Sequence, residues 1–128
     1  MMKFKTVTID DASFLYKLLK NRRSEENISH VELPEYEYHH NFVKTHYYKD
    51  WFIVDDIGSI YITHEGNIGV HTFNNYKDRV IDIINEFIKF YKVKKLSINI
   101  SPENINLESS LINNGFKLVQ KTYKKTDL

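Results

Sequence analysis

Cysteine is absent from the 128 residues, which excludes disulfides and thiolate metal sites. Glycine (4) and proline (2) are scarce, and no Gly/Ser/Pro-rich linker or internal repeat divides the chain, so residues 1–128 read as one domain. No apolar run approaches membrane-spanning length, and the start "MMKFKTVTIDD" lacks the apolar core of a signal peptide. The expected setting is therefore a cytosol, with no membrane partner. An excess of charge is also missing, since 18 Lys and Arg face 17 Asp and Glu for a net charge of +1. Non-specific nucleic-acid binding needs a concentrated basic face, and this balance supplies none. The basic run from Lys121 to Lys125 reads as a solvated tail. Six histidines are present, but no HExxH and no carboxylate cluster has ligand spacing. No metal site is expected.

What is present is a core: 41% of the residues are hydrophobic and 14% aromatic, enough for a folded domain rather than a disordered chain. "FKTVTI" alternates as a first strand. In "TIDD", Thr8 and Asp11 have capping-box spacing, and Phe14, Leu15, Leu18 and Leu19 then recur at helical spacing, which predicts a helix over 11–22. "NRRSEENISHVEL" is polar and irregular. Pro34 suits the first position of a second helix, "PEYEYHHNFVKTH". Three short β-branched and aromatic runs follow, "DWFIV", "SIYIT" and "NIGVHTF", separated by the turns "DDIG" and "HEG". They predict an antiparallel meander.

A helix is predicted from Lys77 to Tyr91, where Val80, Ile83, Ile84, Phe87, Ile88 and Tyr91 form a wide apolar stripe. "KKLSINIS" reads as a strand, Pro102 to Asn114 as a helix stopped by Gly115, and "FKLVQKTYKK" as a closing strand. The order β-α-α-β-β-β-α-β-α-β mixes a meander with crossover helices. It predicts a three-layer α/β/α domain around a mixed sheet.

This order and its local motifs resemble the GNAT superfamily of acetyl-CoA-dependent N-acetyltransferases over nearly the whole chain. The most specific stretch is "PENINLESSLINNGFKLVQ", with Asn104 eleven residues before Gly115. "NIGVHTFNNY" resembles the fourth strand of that fold, "TIDDASFLYKLLKNRR" its first helix and "LPEYEYHHNFV" its second. The resemblance implies a cleft between splayed fourth and fifth strands. There the backbone of His71 and Thr72 would hold the pantetheine arm and polarise the thioester carbonyl. The pyrophosphate would sit on the helix start formed by Lys77, Asp78, Arg79, Val80, Ile81 and Asp82, and Asn104 would bind the cofactor near its pantetheine arm. The acceptor would be a primary amine of a small molecule, an amino sugar or a protein N-terminus.

Two departures from the family pattern stand out. The glycines usual in the pyrophosphate turn fall on Asp78, Val80 and Asp82, so close backbone approach is lost and two carboxylates add repulsion that Lys77 and Arg79 offset. The tyrosine that often protonates the leaving thiolate falls on Leu111, and Leu107 replaces a small residue. Tyr123 is the alternative proton donor. For the base, the helix carrying Glu37, His39 and His40 reads as a wall of the acceptor cleft, and His40 is the candidate. Tyr36, Tyr38, Tyr47, Tyr48 and Trp51 would line a substrate pocket or pack the core. The rival expectation is a catalytically silent GNAT-fold binding protein, acting as a homodimer through its sheet edge or this aromatic segment.

Overall fold

The computed structural model describes residues 1–22 and 33–127. Most of the polar stretch read as irregular, residues 23–32, lies outside them. Five strands form one sheet in the order β1-β2-β3-β4-β5: β1 (Phe4–Thr6), β2 (Asp50–Val54), β3 (Gly58–Ile62), β4 (Asn67–Thr72) and β5 (Ser97–Ile98). The first four pair antiparallel and β5 runs parallel to β4, as the crossover through a helix requires. Helices α1 (Ala12–Lys20), α2 (Tyr36–Lys44), α3 (Val80–Tyr91) and α4 (Ile105–Asn113) complete the chain.

The period of two along each strand divides the core into two layers. Phe52, Val54, Ile60, Ile62 and Ile68 face α3, whose Ile83, Ile84 and Phe87 are fully buried, with Leu111 of α4 alongside. Each such side chain contributes on the order of 1.5–3 kcal/mol by leaving water. On the other face Ile53 packs with Val7 and with Ala12, Leu15 and Leu18 of α1 and Val43 of α2. The result is helices on both faces of a mixed sheet, as the element order predicts.

Local signals mark the element ends. The Thr8 N–H donates to the Asp11 carboxylate at 2.8 Å, and the Lys5 ammonium reaches the same group at 2.9 Å, fixing the entry to α1 through one 3-10 turn. Gly115 takes a left-handed φ of 91° where the sequence stops α4.

Two elements differ from expectation. The helix predicted from Lys77 begins as a 3-10 segment, Asn74–Arg79, with a break at Tyr76, and becomes α-helical only at Val80. The closing strand does not form: residues 117–127 carry no regular structure, and Leu118, Val119 and Tyr123 are 67%, 84% and 87% exposed. A strand satisfies none of its backbone groups internally and needs a partner edge. β5 is only two residues long, and no described segment of this chain pairs beside it.

Candidate active site

The site grows out of the place where β4 and β5 part. Their ladder comprises Asn67 with Ser97 and Ile68 with Ile98, and it stops there. β4 continues to Thr72 beside β3. In an antiparallel ladder, residues alternate between pairs that exchange both backbone bonds and pairs that exchange none. Phe73 donates to the Ile57 carbonyl at one end and Asn67 accepts from Thr63 at the other, so odd-numbered residues of β4 turn their backbone towards β3. Val70 and Thr72 therefore turn theirs towards the gap. This corrects the expectation for His71, whose backbone is engaged with β3. Of Val70 and Thr72, the first lines the cleft, while Thr72 is buried beside it and its carbonyl accepts from the Lys77 ammonium at 2.6 Å.

A cavity of about 780 Å³ fills this gap. Of the residues that the resemblance assigns to the cofactor, His71, Lys77, Asp78, Val80, Ile81 and Asn104 line it. Arg79 and Asp82 do not; they pair with each other at 3.4 Å on the half-exposed side of the helix start. Thr72 is buried, and its hydroxyl has no partner among the described residues. Asn104 stands at the N-cap of α4 with no side-chain capping bond. Leu111 is a buried core residue and Tyr123 lies in the exposed tail, so neither reaches this cavity.

A second cavity of about 380 Å³ lies on the α1/α2 face of the sheet. Tyr38, Phe42, Tyr47, Tyr48, Trp51 and Tyr61 wall it, with His39 and His71. Tyr48 stacks on Tyr61 at 3.8 Å with the rings 4° from parallel, and Trp51 meets Tyr48 edge-on at 4.9 Å. Burial raises both tyrosine pKa values, Tyr48 further through its neighbour Tyr61, so both phenols stay neutral and protonated. The Trp51 indole N–H is buried without a partner among the described residues.

The two cavities share Arg22, Tyr61, His71 and Asn99. His71 projects from β4 onto the α1/α2 face, near Tyr61. His39 is buried, its Nε2 lies 3.1 Å from the Ala12 carbonyl, and burial lowers its pKa. His40 is half-buried against Tyr36 and lines neither cavity.

Tyr61 went unremarked in the sequence, yet a signal for it exists. Gly69 lies opposite Tyr61 in the β3–β4 register, and a Cβ there would fall 2.2 Å from the Tyr61 ring. A glycine inside a strand marks such a close approach.

No family model matches the sequence, and no curated protein matches it. Solved structures do match the fold. A protein described as a possible acetyltransferase from Clostridium difficile 630 superposes with a TM-score of 0.70 at 15% identity, covering 100% of this chain and 99% of that one. A spermidine N-acetyltransferase from Vibrio cholerae matches with a TM-score of 0.68 at 14% identity, over 91% of this chain and 79% of that one. A ribosomal-protein-alanine N-acetyltransferase from Brucella melitensis biovar Abortus 2308 gives 0.62 at 10% identity, over 98% of each chain. At these identities the likeness is one of architecture alone, and this chain has the GNAT-like α/β fold of those structures.

Proposed function

We propose that the protein is an N-acetyltransferase that moves the acetyl group of acetyl-CoA onto a primary amine, working in a cytosol. The observation that carries this reading is that two cavities over β4 share Arg22, Tyr61, His71 and Asn99 in their walls. One is walled by unpaired strand backbone and a helix start, and the other by aromatic side chains. A transfer between two substrates needs two sites that open onto each other.

Acetyl-CoA, as co-substrate, supplies the activated thioester. The larger cavity fits it in kind, since strand N–H groups face the gap and Lys77 and Asn104 add polar contacts. The Val70 and Thr72 N–H groups are the donors for the pantetheine arm and the developing oxyanion. Lys77, Asp78, Val80 and Ile81 border the phosphate end. His71 takes the proton from the acceptor amine as nitrogen bonds to the acyl carbon and the carbon–sulfur bond breaks. An imidazole ordinarily titrates near neutrality, which suits a general base. Tyr61, kept protonated by burial, donates towards the departing sulfur at the same junction.

The direct test is thermal stability with acetyl-CoA or CoA, because a ligand bound only by the native state raises it. No shift at millimolar cofactor sinks the proposal. With turnover on an amine panel established, His71→Ala should lower kcat by about 10²-fold or more and His40→Ala should leave it nearly unchanged. The reverse pattern would make His40 the base. A second reading, a GNAT-fold binder without turnover, is favoured by one feature. The glycine-free turn has both cations engaged locally, Lys77 with Thr72 and Arg79 with Asp82. A cofactor-induced shift without acetylation of any amine would support it.

A further inference from the structure

We propose that the smaller cavity selects a monoamine whose nitrogen is carried on a single aromatic ring, an arylalkylamine, and rejects polyamines. The proposal rests on the acetyltransferase reading for the fate of the amine, but not for its binding.

The walls are built before any ligand arrives. Tyr48 and Tyr61 form a parallel pair, and Trp51 and Phe42 stand nearly perpendicular to Tyr48, at 4.9 and 5.5 Å. Phe42 also meets Trp51 at 6.1 Å and Tyr47 at 5.3 Å. Each ring is held by at least one other, so the cavity presents fixed planes and edges rather than flexible aliphatic chains. Aromatic groups prefer offset or edge-to-face contacts with centroids roughly 4.5–7 Å apart, and a flat guest continues that pattern. The unpartnered Trp51 indole N–H adds a donor that a ring face or a ring substituent can receive.

Charge decides against a polyamine. Among the described residues, no carboxylate lines this cavity, and burial keeps Tyr48 and Tyr61 neutral. Among the described lining residues a distal ammonium of a polyamine finds no counter-charge, which is strongly unfavourable in an apolar site. One ammonium can be tolerated, because tyrosine and tryptophan faces attract a cation. Burial then disfavours its charged form and releases the free amine that a nucleophile must be. The lining that the cavity shares with the larger one includes His71, Tyr61 and Asn99, groups that can hydrogen-bond an amine. An arylalkylamine therefore enters ring first into the aromatic box and leaves its nitrogen at the junction.

Trp51 is the sole tryptophan, so its fluorescence reports occupancy of this cavity without any turnover. The probes are 2-phenylethylamine, n-butylamine, spermidine and a short peptide with an N-terminal alanine, each titrated with fluorescence and thermal stability read together. Saturable binding of 2-phenylethylamine, at least about tenfold tighter than the other three, is the expected result. Tyr48→Leu should weaken it by about tenfold while Tyr48→Phe retains it, provided both variants melt cooperatively. Equal or tighter binding of spermidine or the peptide overturns the selectivity. Equal binding of n-butylamine overturns the role of the ring. If no amine changes either signal while acetyl-CoA still raises stability, the assignment of this cavity falls and the acetyltransferase reading stands. If 2-phenylethylamine binds as expected but acetyl-CoA does not, the cavity assignment survives and that reading fails.

Discussion

Replacing Gly69 with alanine should distort the wall that the two cavities share by displacing Tyr61. A Cβ at this position would lie 2.2 Å from Tyr61 Cζ and 2.4 Å from its Cε2 and hydroxyl oxygen. Non-bonded carbons settle at about 3.5–4.0 Å, so the ring must retreat by roughly 1.5 Å. It cannot do so freely, because Tyr48 stacks on it at 3.8 Å. Overpacking of this kind costs about 1–3 kcal/mol. Gly69 does not have a left-handed φ, so alanine is compatible with the backbone and stiffens the unfolded chain, a gain of about 0.4–1 kcal/mol. The net expectation is a destabilisation of about 1–2 kcal/mol.

A double-mutant cycle by equilibrium urea unfolding checks the cause as well as the size. In a Tyr61→Ala background the collision is gone, so Gly69→Ala should become neutral or stabilise by about 0.4–1 kcal/mol. An equal cost in both backgrounds would refute the reasoning, since the penalty would then lie in the backbone of β4 rather than in the tyrosine. On the proposed function, Gly69→Ala should also lower kcat/KM, because the displaced ring sits where donor and acceptor meet.

Gly58→Ala offers a contrast, because its Cβ would meet the His71 carbonyl oxygen at 2.3 Å, a backbone atom that no side-chain deletion can clear. It should cost more than Gly69→Ala in the same urea assay and not be rescued by Tyr61→Ala. His39 supplies a pH dependence. Burial lowers its folded pKa below the unfolded value of 6.5, so the unfolded chain takes the proton first. Its contribution is complete above about pH 6.5 and is lost as pH falls towards the folded pKa, and His39→Asn should flatten that part of the stability profile measured by urea unfolding. Arg79→Ala should change CoA affinity less than Lys77→Ala does, since Arg79 pairs with Asp82 outside the cavity whereas Lys77 lines it and its loss should weaken binding several-fold by calorimetry. Ending the chain after Phe116 should shift the melting midpoint by less than about 3 °C, because residues 117–127 are exposed and Phe116 keeps its place against the core.

The sheet and its helices were legible because burial imposes a period. Val80, Ile83, Ile84 and Phe87 recur along one face of α3, and the three runs of the meander end at turn residues that the chain uses, including Asp55 and Asp56 at φ of 46° and 57°. The tail was illegible for the complementary reason. "FKLVQ" has strand-like residues, but strand formation is decided by a partner edge, and β5 supplies only two paired residues. The site divides in the same way. Asn104 and Lys77 were singled out by the family resemblance, and both line the larger cavity. Val70 was missed because which residues of β4 face the gap depends on register with β3, a parity that one strand's sequence does not carry.

The glycine-free turn is sharpened by the same kind of reasoning. Glycine offers two separate freedoms, positive φ and the absence of a Cβ. Across residues 74–82 no residue has positive φ, so the first freedom is not needed in this conformation. The second is lost, because Val80 brings a side chain to the cavity wall where the family pattern has none. The α-helix also starts only at Val80, after the 3-10 segment, with Asp78 facing the cavity and Lys77 turned back onto Thr72. A phosphate arriving here meets an ammonium already engaged with a carbonyl and a nearby carboxylate. The ammonium has three N–H donors, so Lys77 can hold the Thr72 carbonyl and still turn a second N–H towards the phosphate. On the proposed function, Lys77 would then tie the phosphate end of the cofactor to the β4 backbone through one side chain, where a glycine-rich turn would offer backbone N–H groups alone.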